Sequence, residues 1–223
     1  MPMPMPDNDR MTAARTASRA DGLPPGLRER KKIKTRAAIR AATYALVEER
    51  GYDATTIEQI AERAEVSPST VSRYFPTKED IVLTDESDPV LLEELRSCPA
   101  GEPWPQSVRR VLRRAVGASV ADDPAAVRLR TRLMVEVPAV RSRMMESMSV
   151  TGRLLCTAIA ERTGRDAQDL EVRVCAMSLV GALMETTLYW AENDHRGDLA
   201  DLVDRTLTVL EHGLPTTDTA TNT

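Results

Sequence analysis

Between the two ends of the chain, apolar residues recur at helical spacing, and start and stop signals divide them into helices. Ile39, Ala42 and Leu46 share one face of a first helix that begins near Leu27 or Glu29 and ends at Arg50, before Gly51. A short second helix begins at Thr55 or Thr56, because Thr55-x-x-Glu58 and Thr56-x-x-Gln59 both fit a capping box, and runs to Ala64. Ser67 is a good N-cap and Pro68 a good first residue for a short third helix reaching Tyr74, and Pro76 ends it. Thr77 caps a fourth helix with Glu79 and Asp80 in its first turn. Longer helices are predicted over 89–97, 106–121, 124–136, 138–163, 167–194 and 198–212. In the second of these, Val108, Val111, Leu112 and Ala115 form the apolar face, and Arg109, Arg110, Arg113 and Arg114 are predicted to be solvated on the other. The Pro-rich segment 98–105 reads as a loop.

Composition points the same way. Hydrophobic residues make up 42% and aromatic residues only 3%, so Ala, Leu, Val and Met supply most of the apolar bulk, which favours helix over strand. The expected fold is all-α. The opening MPMPMPDNDRMTAARTASRADGLPPG lacks periodicity and is predicted to be a disordered tail over 1–26, with Met1 and Met11 both candidate starts. A second disordered tail is predicted over 214–223.

The net charge of −4 conceals an asymmetry: residues 27–78 carry 11 Lys/Arg against 7 Asp/Glu, and residues 79–223 carry 16 against 24. Arg28, Arg30, Lys31, Lys32, Lys34, Arg36 and Arg40 cluster within 27–40 with only Glu29 opposing, a density suited to neutralising phosphates. Cys98, Cys156 and Cys175 are odd in number and unpaired in spacing, which argues against a disulfide scaffold or a zinc site. No apolar run is expected to reach the roughly 18 residues of a spanning helix and no signal peptide is evident, so a cytoplasmic protein with no membrane partner is expected.

Helices two and three, joined by about three residues, describe a helix-turn-helix. In the third, Val71 and Phe75 should face inward, leaving Ser69, Thr70, Ser72 and Arg73 outward. Small hydroxyls allow close approach, and Arg73 offers a donor pair suited to guanine O6 and N7. The stretch Thr35–Ile81 closely resembles the DNA-binding domain of the TetR family of transcriptional regulators. The likeness is carried by Ile39 and Ala42, Gly51-Tyr52, Ala54-Thr55-Thr56, Ile60-Ala61, Val66-Ser67 and Tyr74-Phe75-Pro76-Thr77-Lys78-Glu79, in order and at family spacing. It covers under a third of the chain; beyond it, only the acidic, all-helical character is similar.

The resemblance implies a helix-turn-helix domain over 27–84, then a helical effector-binding and dimerisation domain over 85–213. It also implies a regulator, a repressor, that binds a palindromic operator as a dimer and is released by a small-molecule effector. By position, Thr70 and Tyr74 resemble the family's base- or phosphate-contacting residues and Lys78 its phosphate contact, while Thr55 or Thr56 resembles the cap that turns backbone N–H groups towards a phosphate. Lys34, Ser67, Ser69, Ser72 and Arg73 complete the candidate DNA-binding set. Three positions depart from the family pattern: Glu65 where Gly is frequent in the turn, Ser72 where an aromatic is frequent, and Val47 where an aromatic core residue is common.

Dimerisation is expected through 167–212, where Leu170, Val174, Met177, Gly181 and Met184 form one stripe and Leu199, Leu202, Val203, Thr206 and Leu210 another. An apolar or amphipathic effector is expected among Trp104, Met134, Met144, Met148, Met177 and Trp190, with Met145 and Met184 as further adaptable side chains. No cofactor, metal or catalytic residue is expected: GxSxG, Walker A, GxGxxG and HExxH are all missing, and the only histidines are His195 and His212. Two alternatives carry less support. A thiol sensor or enzyme built on Cys156 or Cys175 needs a neighbour that lowers a thiol pKa, and a sequence-independent architectural protein needs a basic surface along the whole chain.

Overall fold

The computed structural model describes residues 26–84, 88–99 and 101–214. The predicted tails therefore lie outside the described residues, apart from Gly26 and Leu214. Among the described residues ten helices follow one another: α1 Leu27–Arg50, α2 Ile57–Arg63, α3 Pro68–Tyr74, α4 Lys78–Leu83, α5 Asp88–Arg96, α6 Trp104–Asp122, α7 Pro124–Glu136, α8 Pro138–Thr163, α9 Leu170–Glu192 and α10 Leu199–His212. There is no strand among the described residues. Boundaries follow the local chemistry. Proline is the first helical residue of α3, α7 and α8, where a missing N–H costs nothing, and Thr56, Ser67, Thr77, Asp123 and Asp198 cap α2, α3, α4, α7 and α10 with their side chains. Gly164, at φ 69°, stops α8 in the left-handed conformation that glycine adopts without a Cβ penalty.

Contacts divide the chain into a unit ending at Ala37 and a unit from Ala38 onward. The described part of the first is the start of α1, with Arg28, Lys31 and Lys34 exposed. In the second, Ile39, Leu46, Ile60, Ala61, Val71, Phe75 and Ile81 form one buried cluster that fastens α1, α2, α3 and α4 together. A second cluster joins Val47, Tyr52 and Val82 to Leu129, Leu133, Met134, Val140, Met144 and Leu188. Contacts therefore run unbroken through position 84, because Val47, Tyr52 and Val82 need α7, α8 and α9 to cover them. The third and largest cluster holds α5, α6, α8, α9 and α10 around Leu95, Val111, Leu155, Ile159, Val172 and Val203.

Three expectations change. The arginines of α6 are engaged: Arg109 donates to Asp204 and Glu211 of α10, Arg113 pairs with Asp201 and Asp204, Arg110 pairs with Glu102, and Arg114 pairs with Glu94. The acidic composition of α10 made this pairing available once α6 and α10 packed. Trp104 belongs to α6 and not to the preceding loop. Finally, α9 is long and apolar enough to cross a membrane by length and composition, contrary to the expectation from the sequence. Its buried face, Val172, Ala176, Leu179 and Leu188, packs within the fold.

Candidate nucleic-acid interface and ligand cleft

In α3, Val71 and Phe75 are 0% and 1% exposed, and they anchor the helix to α1, α2 and α4. The other face carries Ser69, Ser72 and Arg73 in the open and Thr70 and Tyr74 half-buried. The Arg73 guanidinium lies 5.3 Å from the centre of the Tyr74 ring, which steadies the long side chain on the helix surface. Ser67 accepts from the Thr70 N–H at 3.2 Å, and its oxygen is 2.9 Å from both the Ser69 and the Thr70 hydroxyls. Ser72 donates back to the Pro68 carbonyl at 3.3 Å.

The turn before α3 passes through Glu65 at φ 54°, left-handed for a residue with a side chain. That conformation costs roughly 1 kcal/mol in a non-glycine residue. It is held by the Glu65 N–H donating to the Glu62 carbonyl and the Val66 N–H donating to the Ala61 carbonyl.

Of the two candidate caps on α2, Thr56 is the cap: it accepts from the Gln59 N–H while the Gln59 side chain accepts from the Thr56 N–H. Thr55 is buried instead, its hydroxyl donating to the Gly51 carbonyl at 2.8 Å, so its side chain is turned away from solvent. Lys78 also differs from an open surface lysine. Its ammonium donates to the Tyr52 and Thr55 carbonyls at 2.8 and 2.9 Å and stands 3.9 Å from the centre of the Tyr52 ring. Partial burial lowers its pKa, against the opposing pull of Glu79 and Asp53. These two bonds engage two of its three N–H donors. The Tyr52 hydroxyl donates to Glu79 at 2.6 Å. This clamp of α4 onto the turn before α2 escaped the sequence reading, because Tyr52 stands 27 residues from its partner.

A cleft of about 200 Å³ opens between α7, α8 and α9, lined by Met134, Met144, Met148, Met184, Val180 and Leu183, with Arg130, Ser147, Thr151 and Thr187 as its polar groups. Of the six residues named for a pocket, Met134, Met144 and Met148 line this cleft, and Trp104, Met177 and Trp190 lie elsewhere. Trp104 packs on the cluster around Val111 and lies 6.0 Å beneath the Arg162 guanidinium. The Met177 thioether crosses α8 at Gly152, where a Cβ would overlap its sulfur. Met145 is exposed. The polar lining of the cleft carried no sequence signal, since isolated Ser, Thr and Arg on helices usually face water.

Trp190 is buried, its indole N–H donating to the Gly197 carbonyl, with the His195 ring edge-on at 4.5 Å. His195 Nε2 is 2.8 Å from the Thr131 hydroxyl. Burial, then Arg128 and Arg132, lower the His195 pKa. The folded state thus disfavours the charged ring. Its contribution to stability is complete above the unfolded value of about 6.5 and declines as pH falls from there through the folded pKa. Wild-type melting temperature should fall more steeply between about pH 7 and 5 than that of His195→Gln; parallel curves by calorimetry would remove His195 from the account.

Of the cysteines, Cys98 and Cys156 are buried, and burial raises the pKa of Cys175, the opposite of what a reactive thiolate requires. No group of metal-ligating residues occurs among the described residues.

Residues 39–84 match the family described as bacterial regulatory proteins, tetR family, and residues 102–215 match the MftR C-terminal domain. The HTH-type transcriptional regulator TcmR of Streptomyces glaucescens is 36% identical over 154 residues, spanning 65% of this chain and 67% of that protein. The fatty acid metabolism regulator protein of Bacillus subtilis is 23% identical over 181 residues, 78% of this chain and 92% of that one. Among solved structures, Thermus thermophilus FadR, a repressor in complex with lauroyl-CoA, superposes with a TM-score of 0.54 at 24% identity, over 84% of this chain and 99% of its own. Bacillus subtilis FadR with stearoyl-CoA gives 0.54 at 22% identity, over 80% and 99%. These likenesses establish the fold.

Proposed function

The chain belongs to the TetR family of bacterial transcriptional regulators, a DNA-binding family, and from that premise we propose that it is a cytoplasmic repressor, without catalytic activity, that grips a palindromic operator as a dimer and lets go when a small molecule enters the α7–α9 cleft. The observation that carries this reading is the outward face of α3, polar and tipped by Arg73, on a helix locked by Val71 and Phe75. Residues 27–84 form the reading module and 85–213 the effector and dimer module. Arg73 reads a base in the major groove; Ser69, Thr70, Ser72 and Tyr74 contact bases or phosphates beside it, Ser67 and Thr56 hold the helix ends, and the third donor of Lys78 meets a phosphate. Lys34 is assigned a sequence-independent phosphate contact on charge alone.

Selection of bound fragments from genomic DNA tests the reading. Arg73→Ala should then weaken the selected site by about 1–3 kcal/mol and relax one base position per half-site. Unchanged affinity together with an unchanged selected motif would assign the reading to other residues.

Dimerisation uses the outer face of α9, where Leu170, Val174 and Met177 are 72%, 54% and 40% exposed, continued by Val209 and Leu210 of α10. Leu199 and Val203, expected on the same stripe, are instead buried in the protomer's own core, while Leu202 and Thr206 are half-buried. The cleft supports an apolar effector with a polar end. At about 200 Å³ it lies below the roughly 300–1,000 Å³ of ligand pockets, so an occupant has to widen it, and four flexible methionines are suited to that. The lauroyl-CoA and stearoyl-CoA held by the two FadR proteins supply the first probes.

A further inference from the structure

Next to the cleft residue Met144, the Arg143 side chain leaves α8 and donates from Nε to Asp80 Oδ1 at 2.8 Å, while its Nη1 donates to Glu146 at 2.9 Å. Asp80 is the third residue of α4. Its second oxygen, Oδ2, accepts from the backbone N–H and the hydroxyl of Thr77 at 3.1 and 3.0 Å, closing the capping box of that helix. Immediately beyond the cap, Lys78 and Glu79 hold the Tyr52 and Thr55 carbonyls and the Tyr52 hydroxyl, and Thr56 starts α2. One carboxylate therefore ties the wall of the cleft to the helix end that clamps the reading head, with its side chain only 15% exposed.

We propose that Arg143 is a positioning residue for DNA release, a latch through which displacement of α8 by a ligand in the cleft is delivered to the N-terminus of α4 and hence to α2 and α3. The proposal rests on the reading of the cleft as the effector site. Neither Arg143 nor Asp80 lines the cleft, so breaking the latch should spare ligand binding while removing its consequence. Arg143 itself is 39% exposed, and without it Asp80 keeps the N–H and hydroxyl of Thr77 as donors, so the stability readout separates coupling from folding. A packed cluster runs beside it, since Met134 and Met144 share their core with Tyr52 and Val82, so some coupling should survive without the pair. Energetic linkage between two sites requires an element whose two arrangements both sites bias; a short helix whose first turn is held to α8 through Asp80 and to the reading head through Lys78 and Glu79 is such an element.

The test uses full-length protein, the selected operator and lauroyl-CoA as the probe. In Arg143→Met, lauroyl-CoA binding by calorimetry should stay within about twofold of wild type, while its effect on operator affinity, read by fluorescence anisotropy, falls about tenfold or more. Asp80→Asn, which keeps oxygen and amide at the cap, should do the same; the double variant should be no worse than either single one, because both remove one pair. Arg143→Lys should restore part of the coupling. Full coupling in Arg143→Met, or parallel loss of ligand binding, DNA binding and stability, overturns the latch. If lauroyl-CoA does not bind wild type, that choice of occupant fails, and the latch is judged without ligand by amide hydrogen exchange. In Arg143→Met, exchange across residues 78–83 should accelerate about tenfold while α10 is unchanged; no acceleration overturns it.

Discussion

Replacing Phe75 by Ala should destabilise the reading head by about 3–5 kcal/mol and abolish operator binding. Among the described residues Phe75 is the largest fully buried side chain, 1% exposed, in a cluster of seven buried residues. A cavity there has little surrounding mass to collapse into it, and whole-domain stabilities are only about 5–15 kcal/mol. The same substitution leaves untouched the cluster that contains Leu155 and Val172. Both tryptophans, Trp104 and Trp190, lie in the helices beyond the head, so the effect is visible as a divergence of probes. In urea, far-ultraviolet circular dichroism should show an early loss of helix while tryptophan emission holds. Coincident transitions shifted by less than about 1 kcal/mol would mean that Phe75 is not what fastens α3.

Val174→Glu should convert the proposed dimer to monomer. The residue is 54% exposed at the centre of the apolar outer face of α9, between Leu170 and Met177. A two-fold axis counts each substitution twice. Losing even about 1.5 kcal/mol of burial per valine removes about 3 kcal/mol, roughly a hundredfold in the dissociation constant before any cost of desolvating two carboxylates. Operator affinity should fall with it, since two reading helices about 34 Å apart have to be delivered together. Light scattering at micromolar concentration checks the mass, and a Val174→Glu protein that stays dimeric would move the interface elsewhere.

The reading head was legible because each of its signals is local: a Thr or Ser three residues before its partner, a Pro at a first helical position, and Val71 and Phe75 four residues apart. Even Glu65, flagged only because glycine is frequent in such turns, proved left-handed at φ 54°. What escaped the sequence depends on distant partners. The choice between Thr55 and Thr56 as cap is settled by burial, which puts the Thr55 hydroxyl on the Gly51 carbonyl. Lys78 was assigned from its place in the motif, whereas its engagement with Tyr52 and Thr55 requires the loop to return. The cleft was legible by half: methionines can be recognised as adaptable, but a helical sequence gives no indication of which of them meet across three helices. Met177 failed that test: its thioether rests against Gly152 of α8, outside the lining of the cleft.

The shared cluster of Val47, Tyr52, Val82, Met134 and Met144 constrains how this regulator can diverge. A lineage that retunes its ligand by changing Met134 or Met144 changes the footing of its reading head in the same step, so such changes should be accompanied by compensating ones at Val47 or Val82. Other lining residues, Met148, Thr151, Val180 and Thr187, lie outside that cluster. Drift in effector preference should concentrate there, leaving operator recognition to be inherited unchanged.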